Sequence, residues 1–335
     1  MSRVAVVGAG SWGTTLADLL AAKGDEVVLW AFEPEVAEDL NRRHRNDLYL
    51  PDAPLHATLT ATTDIGRAVR GAELVVSVAP SHAVRTVMGA AAGSIRDGAV
   101  VVSASKGLEA DAHKRMSQVL AEVLPAGVGI AALSGPTFAR EVYERQPTAA
   151  VVASDDPAVA RRAQEAFSAP NLRIYTNADL IGVELGGALK NVIAIAAGIL
   201  DGLGIGHNTR ATLITRGLAE ISRLGVALGA QPLTFAGLAG MGDLVLTATG
   251  HLSRNRSLGL ALGRGERLAD YQAQRLSVAE GVGTARAAVA LGERTGVELP
   301  IAQEVARVLF EGKAPRQAIG ELMGRSLKSE TGGAA

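Results

Sequence analysis

Apolar residues fall along the first half of the chain in short, nearly unbroken runs. Val4–Val7, Glu26–Trp30, Leu74–Val78, Ala99–Ser103 and Gly129–Leu133 are rich in valine and lack the alternation of a strand with one wet face. Such runs predict strands buried on both faces. Between them, Thr14–Lys23, His82–Ala92, Ala112–Leu124 and Pro157–Phe167 repeat their apolar residues at helical spacing. Strand and helix in alternation give a parallel sheet covered by helices on both sides. Two further runs, Ala149–Ala153 and Leu172–Tyr175, are expected to extend that sheet. Beyond Asn177 the strand pattern stops. Asp179–Leu200, Thr209–Leu228, Ser257–Leu262, Gly283–Leu291 and Pro300–Phe310 all read as helices. The expected division is therefore an α/β domain over residues 1–178, an all-helical domain over 179–328, and a polar, glycine-bearing tail over 329–335. A length of 335 residues suits two such cores better than one.

Composition removes several function classes. Lys and Arg total 33 against 34 Asp and Glu, so there is no basic excess for a nucleic-acid backbone. The chain has no cysteine, which excludes disulfides, thiolate nucleophiles and Cys-based zinc sites. Its six histidines show no HxxxH spacing or clustered carboxylates, so no metal is expected. No GxSxG marks a nucleophilic serine. No secretory pattern precedes the first strand, and the longest apolar run, Val192–Leu200, is about half the ~20 residues of a membrane span. These features point to a cytoplasmic protein without a membrane span.

The first chemical signal is GAGSWG, Gly8–Gly13, which leaves a predicted strand and enters a predicted helix. In that setting Gly8 permits a tight turn, Gly10 lets backbone approach a pyrophosphate, and Gly13 allows close helix packing. Free amides at the helix start face the negative charge. The α/β domain is accordingly expected to be a Rossmann-type, doubly wound, mostly parallel dinucleotide-binding domain. Glu33 lies 20 residues past Gly13, where a carboxylate can accept from both adenosine ribose hydroxyls and repel a 2′-phosphate. The alternative is a solvated charge at the start of the helix led by Pro34.

Lys190 sits in an apolar helix with Gly186, Gly187, Ala194 and Ala197 on its face. Either it meets a polar ligand in the groove those small residues leave, or it snorkels to water. In the first case it could protonate or stabilise a carbonyl oxygen. Lys106, in SASKGLE, follows a strand where ligands gather in doubly wound sheets; surface lysines are also common there. LSGPTFA, Leu133–Ala139, turns at Gly135 and Pro136, with Thr137 placed to cap the next helix. Asp243 and Thr247 are four apart and share a helix face. Ser253, Arg254 and Asn255 cluster at another helix start, as a phosphate cradle or, with Arg256, as a solvated basic patch.

GAGSWG, SASKGLE, LSGPTFA, LGGALKN, GMGD, LSRNR and VAEG, in this order from Gly8 to Gly281, resemble the NAD(P)-dependent glycerol-3-phosphate dehydrogenases. Trp12 inside the glycine loop is typical of that family. The resemblance implies reversible reduction of dihydroxyacetone phosphate to sn-glycerol 3-phosphate for phospholipid synthesis, by a homodimer whose partners are small molecules. It implies Lys190 as proton donor and acceptor, with Lys106 and Asp243 completing the polar site. It places Gly135, Thr137, Thr247, Ser253, Arg254 and Asn255 at the substrate. At the cofactor it places Ser11, Trp12, Phe32, Lys106, Ala139, Arg254, Val278 and Glu280, with Phe32 on the adenine. Many bacterial members carry a basic residue after the second strand, whereas this chain reads Trp30-Ala31-Phe32-Glu33, which resembles the NAD-specific eukaryotic branch. A ketopantoate-type or 2-hydroxyacid reductase shares the broad architecture, and a non-catalytic NADH sensor would share the glycine motif. The Ser253–Asn255 cluster argues against the former, and Lys106, Lys190 and Asp243 together argue against the latter.

Overall fold

The computed structural model describes residues 2–275, 279–327 and 329–330. Eight strands form one sheet in the order β3-β2-β1-β4-β5-β6-β7-β8. They are β1 (Arg3–Val7), β2 (Glu26–Trp30), β3 (Thr60–Thr62), β4 (Leu74–Ser77), β5 (Val100–Ser103), β6 (Gly129–Ser134), β7 (Thr148–Ala153) and β8 (Leu172–Asn177). The pairs are parallel except β6 with β7, which run antiparallel in the register Leu133 with Val152. β3 was not expected. Its three residues, Thr60–Thr62, pair only at the sheet edge and carry no apolar run.

Helices α1 (Ser11–Ala22), α2 (Pro34–Arg43), α3 (Ile65–Val69), α4 (Val84–Ala91), α5 (Met116–Val123), α6 (Ala139–Tyr143) and α7 (Pro157–Phe167) connect the strands. The period of two along each strand explains why the central runs are apolar throughout. Val4, Val6, Val76, Val100 and Val102 face one side, packing with Leu16 and Leu20 of α1 and Phe167 of α7. Ala5, Val7, Val75 and Val101 face the other, with Met88 of α4 and Leu120 of α5. The expected helix over Ala112–Leu124 starts only at Met116, because Arg115 is extended and forms a capping box with Gln118.

Among the described residues no strand follows Asn177. α8 (Leu180–Gly202), α9 (His207–Ala227), α10 (Pro232–Phe235), α11 (Asp243–Thr249), α12 (Arg254–Gly263), α13 (Leu268–Ala273), α14 (Gly281–Thr295), α15 (Pro300–Phe310) and α16 (Pro315–Met323) complete the chain, with a π-turn over Leu238–Gly242 before α11. Asp179 starts α8 by accepting from Gly182 N at 2.8 Å. Among the described residues α8 is the single unbroken helix long and apolar enough to cross a membrane, yet it is the buried axis of this helical layer. α12 crosses it at backbone contact: a Cβ on Gly198 would lie 2.0 Å from Arg256 O, and one on Gly259 2.0 Å from Ile195 O. Glycine at both positions lets the helix axes approach closely, so the start of α12 is fixed relative to Lys190 on α8.

Candidate active site

The segments that follow β4 and β5 meet the helical layer through Ser81 with Glu280 and Lys106 with Asp243, and Lys106 also reaches Gly135 after β6. After β1 the chain turns at Gly8, whose φ of +124° favours glycine; a Cβ there would also meet Val78 C at 2.9 Å. A Cβ on Gly13 would lie 1.9 Å from Gly8 O, so the third glycine serves the close turn-to-helix packing. At Gly10 the same atom would meet nothing within 4 Å. Gly10 is the N-cap of α1, no side chain caps its amides, and its first turn holds no acidic residue. An open backbone face and unneutralised amides together fit a dinucleotide pyrophosphate. Trp12 Nε1 is buried without a partner, Ser11 is exposed, and Phe32 is 76% exposed with only an edge contact to Trp30. Phe32 thus leaves most of its ring exposed just past the end of β2.

Glu33 occupies the N-cap position of α2 without making a capping bond. It accepts a hydrogen bond from Tyr49 Oη at 2.7 Å through Oε1. The solvated-charge alternative therefore misses a specific partner. Burial, followed by the adjacent Glu33 carboxylate, pushes the Tyr49 hydroxyl up to about 12, so it stays a donor.

Across the cleft, Lys190 is 5% exposed and Asp243 1%. The snorkelling alternative for Lys190 is excluded. Nor is there an open groove beside its small neighbours: a Cβ on Gly186 would meet Ala239 O at 2.7 Å, so backbone of the π-turn fills that face. Lys190 Nζ donates to Asp243 Oδ1 and, at 2.7 Å, to Thr247 Oγ1. Thr247 donates in turn to Asp243 O at 2.6 Å, the i, i+4 pairing expected on α11. Lys106 Nζ donates to the other carboxylate oxygen, Asp243 Oδ2, at 2.8 Å and to Gly135 O at 2.7 Å. Two ammonium groups thus share one buried carboxylate. Burial pushes Lys190 down to about 7; Asp243 opposes the shift, while Lys106 and Arg254 add to it.

Thr137 does not cap α6, whose N-cap is Phe138. Its hydroxyl faces the site, accepting from Lys106 Nζ at 3.3 Å and donating to Gly135 O at 3.2 Å. Ala139 opens α6, and its carbonyl accepts from Thr15 of α1 at 3.2 Å. Ser253 is the N-cap of α12, accepting from Arg256 N at 3.2 Å. Arg254, the next residue, is exposed and has no ion pair among the described residues, whereas Arg256 is tied to Asp201 at 2.7 Å. The basic-patch alternative fails for that pair, because only one of the two is solvated and free. Asn255 points inward: it donates to Asn191 Oδ1 at 2.9 Å and accepts from Gly281 N at 2.9 Å. Glu280 reaches back across the cleft to accept from Ser81 N at 3.1 Å. Val278 lies outside the described residues.

Three supporting residues had not been expected. Asn191 donates to Lys106 O at 3.1 Å, joining both lysine segments through Asn255 to the start of α14. A polar residue between Lys190 and the apolar run from Val192 was its available signal. Tyr49 and Ser81 sit in loops without periodicity, and only tertiary contact reveals them. No group of three or more His, Cys, Asp or Glu among the described residues could hold a metal.

Two family models match the chain: the NAD-dependent glycerol-3-phosphate dehydrogenase N-terminus over residues 3–160, and the C-terminus of the same family over 179–320. The chain is 56% identical over 330 residues to a protein of Geobacter sulfurreducens named glycerol-3-phosphate dehydrogenase (NAD(P)+), covering 98% of each. Among solved structures it resembles glycerol-3-phosphate dehydrogenase from Coxiella burnetii at a TM-score of 0.93 and 39% identity, covering 97% of this chain and 99% of that one. It also resembles the Saccharomyces cerevisiae glycerol-3-phosphate dehydrogenase at a TM-score of 0.82 and 26% identity, with 97% and 99% coverage.

Proposed function

Since the chain belongs to the NAD-dependent glycerol-3-phosphate dehydrogenase family, we propose that Lys190, Asp243 and Lys106 are the machinery with which it reduces dihydroxyacetone phosphate to sn-glycerol 3-phosphate. The protein is an NAD(P)-dependent oxidoreductase, and the single observation that carries the residue assignment is the Asp243 carboxylate shared by two lysines. The glycine loop, Ser11, Trp12, Phe32 and Glu33 would hold the dinucleotide, with Ala139, Arg254, Val278 and Glu280 completing its site. Bound NAD(P)H supplies hydride to the ketone carbon. The chain supplies the rest.

Lys190 as an ammonium donates a proton to the ketone oxygen as that oxygen gains charge, and takes it back in the reverse direction. Its pKa near 7 makes both forms accessible at neutral pH. Asp243 holds Nζ in place and compensates the buried charge, while Thr247 fixes a second direction around it. Lys106, anchored on Gly135 and beside Thr137, adds a second positive charge near the developing alkoxide. Arg254, exposed at the start of α12, offers a bidentate fork for the substrate phosphate. Ser253 and Asn255 set that helix start, and binding energy remote from the carbonyl serves to orient it.

The proposed division of labour makes residues 1–178 the dinucleotide-binding domain and 179–328 the substrate and catalytic domain, with Arg254, Val278 and Glu280 reaching the dinucleotide from the second and Lys106 and Thr137 reaching the substrate from the first. Glu33 is proposed to favour NAD over NADP. We further place the enzyme in the cytoplasm as a homodimer, making the glycerol phosphate backbone of phospholipids. Oxidation of NADH or NADPH with dihydroxyacetone phosphate, followed by absorbance, tests the activity and cofactor reading, with dihydroxyacetone as the phosphate-free control. Turnover with the phosphate ester and little with dihydroxyacetone is expected. Equal rates with both ketones would remove the role given to Arg254.

A further inference from the structure

Residues 46–49 connect the two ends of the adenosine side of the cleft. Asn46 is 1% exposed, and its Nδ2 donates to Ala9 O and to Thr14 Oγ1, both at 2.8 Å. Its Oδ1 accepts from Tyr49 N at 3.3 Å. Tyr49 then makes two contacts in different directions. Its carbonyl accepts from Ser11 Oγ at 2.5 Å, while its hydroxyl donates to Glu33 Oε1 at 2.7 Å. Its ring is partly buried against the core under the glycine loop. Among the described residues Glu33 Oε2 takes no hydrogen bond, so the carboxylate is held by one oxygen and free at the other.

We infer that Tyr49 is a positioning residue for cofactor choice: by holding Glu33 through one oxygen, it keeps the other aimed to accept from the adenosine 2′-hydroxyl and to repel a 2′-phosphate. This rests on the reading of Glu33 as the ribose-binding carboxylate. A glutamate with three free torsions could turn its charge away from a 2′-phosphate at little cost. Held by a donor of its own, it cannot turn without losing a charge-assisted hydrogen bond. The same residue also registers Glu33 against Ser11, so discrimination at the ribose is tied to the pyrophosphate loop.

Calorimetric binding of adenosine 5′-diphosphate and adenosine 2′,5′-bisphosphate to the full-length enzyme tests this without turnover. Tyr49→Phe keeps the ring packed and leaves the backbone carbonyl available to Ser11. The wild type is expected to prefer the ligand without the 2′-phosphate, and Tyr49→Phe to erode that preference by about fivefold to tenfold. In a Glu33→Gln background Tyr49→Phe should change the ratio by less than about twofold, since the charge it positions is gone. Weakening of both ligands by the same factor would assign Tyr49 a purely structural role and overturn the inference. So would an equal change of ratio in the Glu33→Gln background. A wild type that prefers the 2′-phosphate would instead overturn the reading of Glu33 itself, and the role of Tyr49 with it.

Discussion

Lys190 carries a conflict that its neighbours resolve only in part. An ammonium taken out of water costs several kcal/mol unless it is paired. Asp243 provides the pair, but Lys106 shares that carboxylate, and the net effect still leaves Lys190 pushed down from 10.5 to about 7. Replacing it by alanine is expected to cut turnover at least about 1,000-fold, because the proton donation and the electrostatic hold on the oxygen proposed for it would disappear together. NADH affinity, followed by quenching of protein fluorescence, should change little; substantial residual turnover would refute the assignment. The two reaction directions should also part company with pH. With Lys190 as the proposed proton donor, ketone reduction needs the ammonium and its kcat/KM should fall as pH rises through about 7, whereas glycerol 3-phosphate oxidation needs the neutral amine and should rise through the same window. An inflection near 10.5, the ordinary lysine value, would contradict a buried donor.

Single elements of this fold are held by side chains from distant ones. Glu220 of α9 accepts from Ile301 N at 2.8 Å and Ala302 N at 3.3 Å, and so satisfies the amides at the start of α15. Glu184 of α8 accepts from Arg115 and Ser117 at the start of α5, which ties the helical layer to the sheet domain. Its side chain is 7% exposed, and desolvation pushes its carboxyl above the usual range against the pull of Arg115. Arg115→Ala should therefore destabilise the protein by up to about 3–5 kcal/mol in urea unfolding, since the carboxylate loses its cationic partner and keeps only the Ser117 donors. Exchanging both partners for apolar residues of similar volume should cost less. If the single and double variants lose the same stability, the pair does not act as a unit.

At the level of the whole molecule, the cleft is closed by contacts that cross it: Lys106 with Asp243, Ser81 with Glu280, Asn191 with the Lys106 backbone. A dinucleotide lying between the glycine loop and Glu280 would touch both sides, and any ligand bound only by the folded form adds to its stability. NADH at about 100 times its Kd is expected to add about 2.7 kcal/mol and to raise the thermal midpoint by several degrees. Dihydroxyacetone phosphate at the same multiple of its own Kd should act additively, or better if the cofactor prepares its site. A midpoint unmoved by NADH would mean that the glycine loop does not bind it.

Much of this architecture was legible because its physics is local. Buried parallel strands must be apolar on both faces, so Val4–Val7, Leu74–Ser77 and Val100–Ser103 announce themselves, and the glycines of the first turn do so through the close approach they permit. Asp243 and Thr247 were legible as one helix face because they are neighbours along α11. Pairings between distant segments were not. Nothing in sequence spacing places Lys106 beside Asp243, 137 residues away, or Tyr49 beside Glu33. Edge strand β3 pairs along only one side and needs little apolar character, and Thr137 passes for a helix cap until its hydroxyl is found on Lys106. Residue type and order along the chain settle which groups could do chemistry and on which kind of element they lie, since helical and strand periods are properties of neighbours. Which of them meet depends on packing, because one buried carboxylate shared by two lysines exists once the sheet ends and α8 and α11 are brought together.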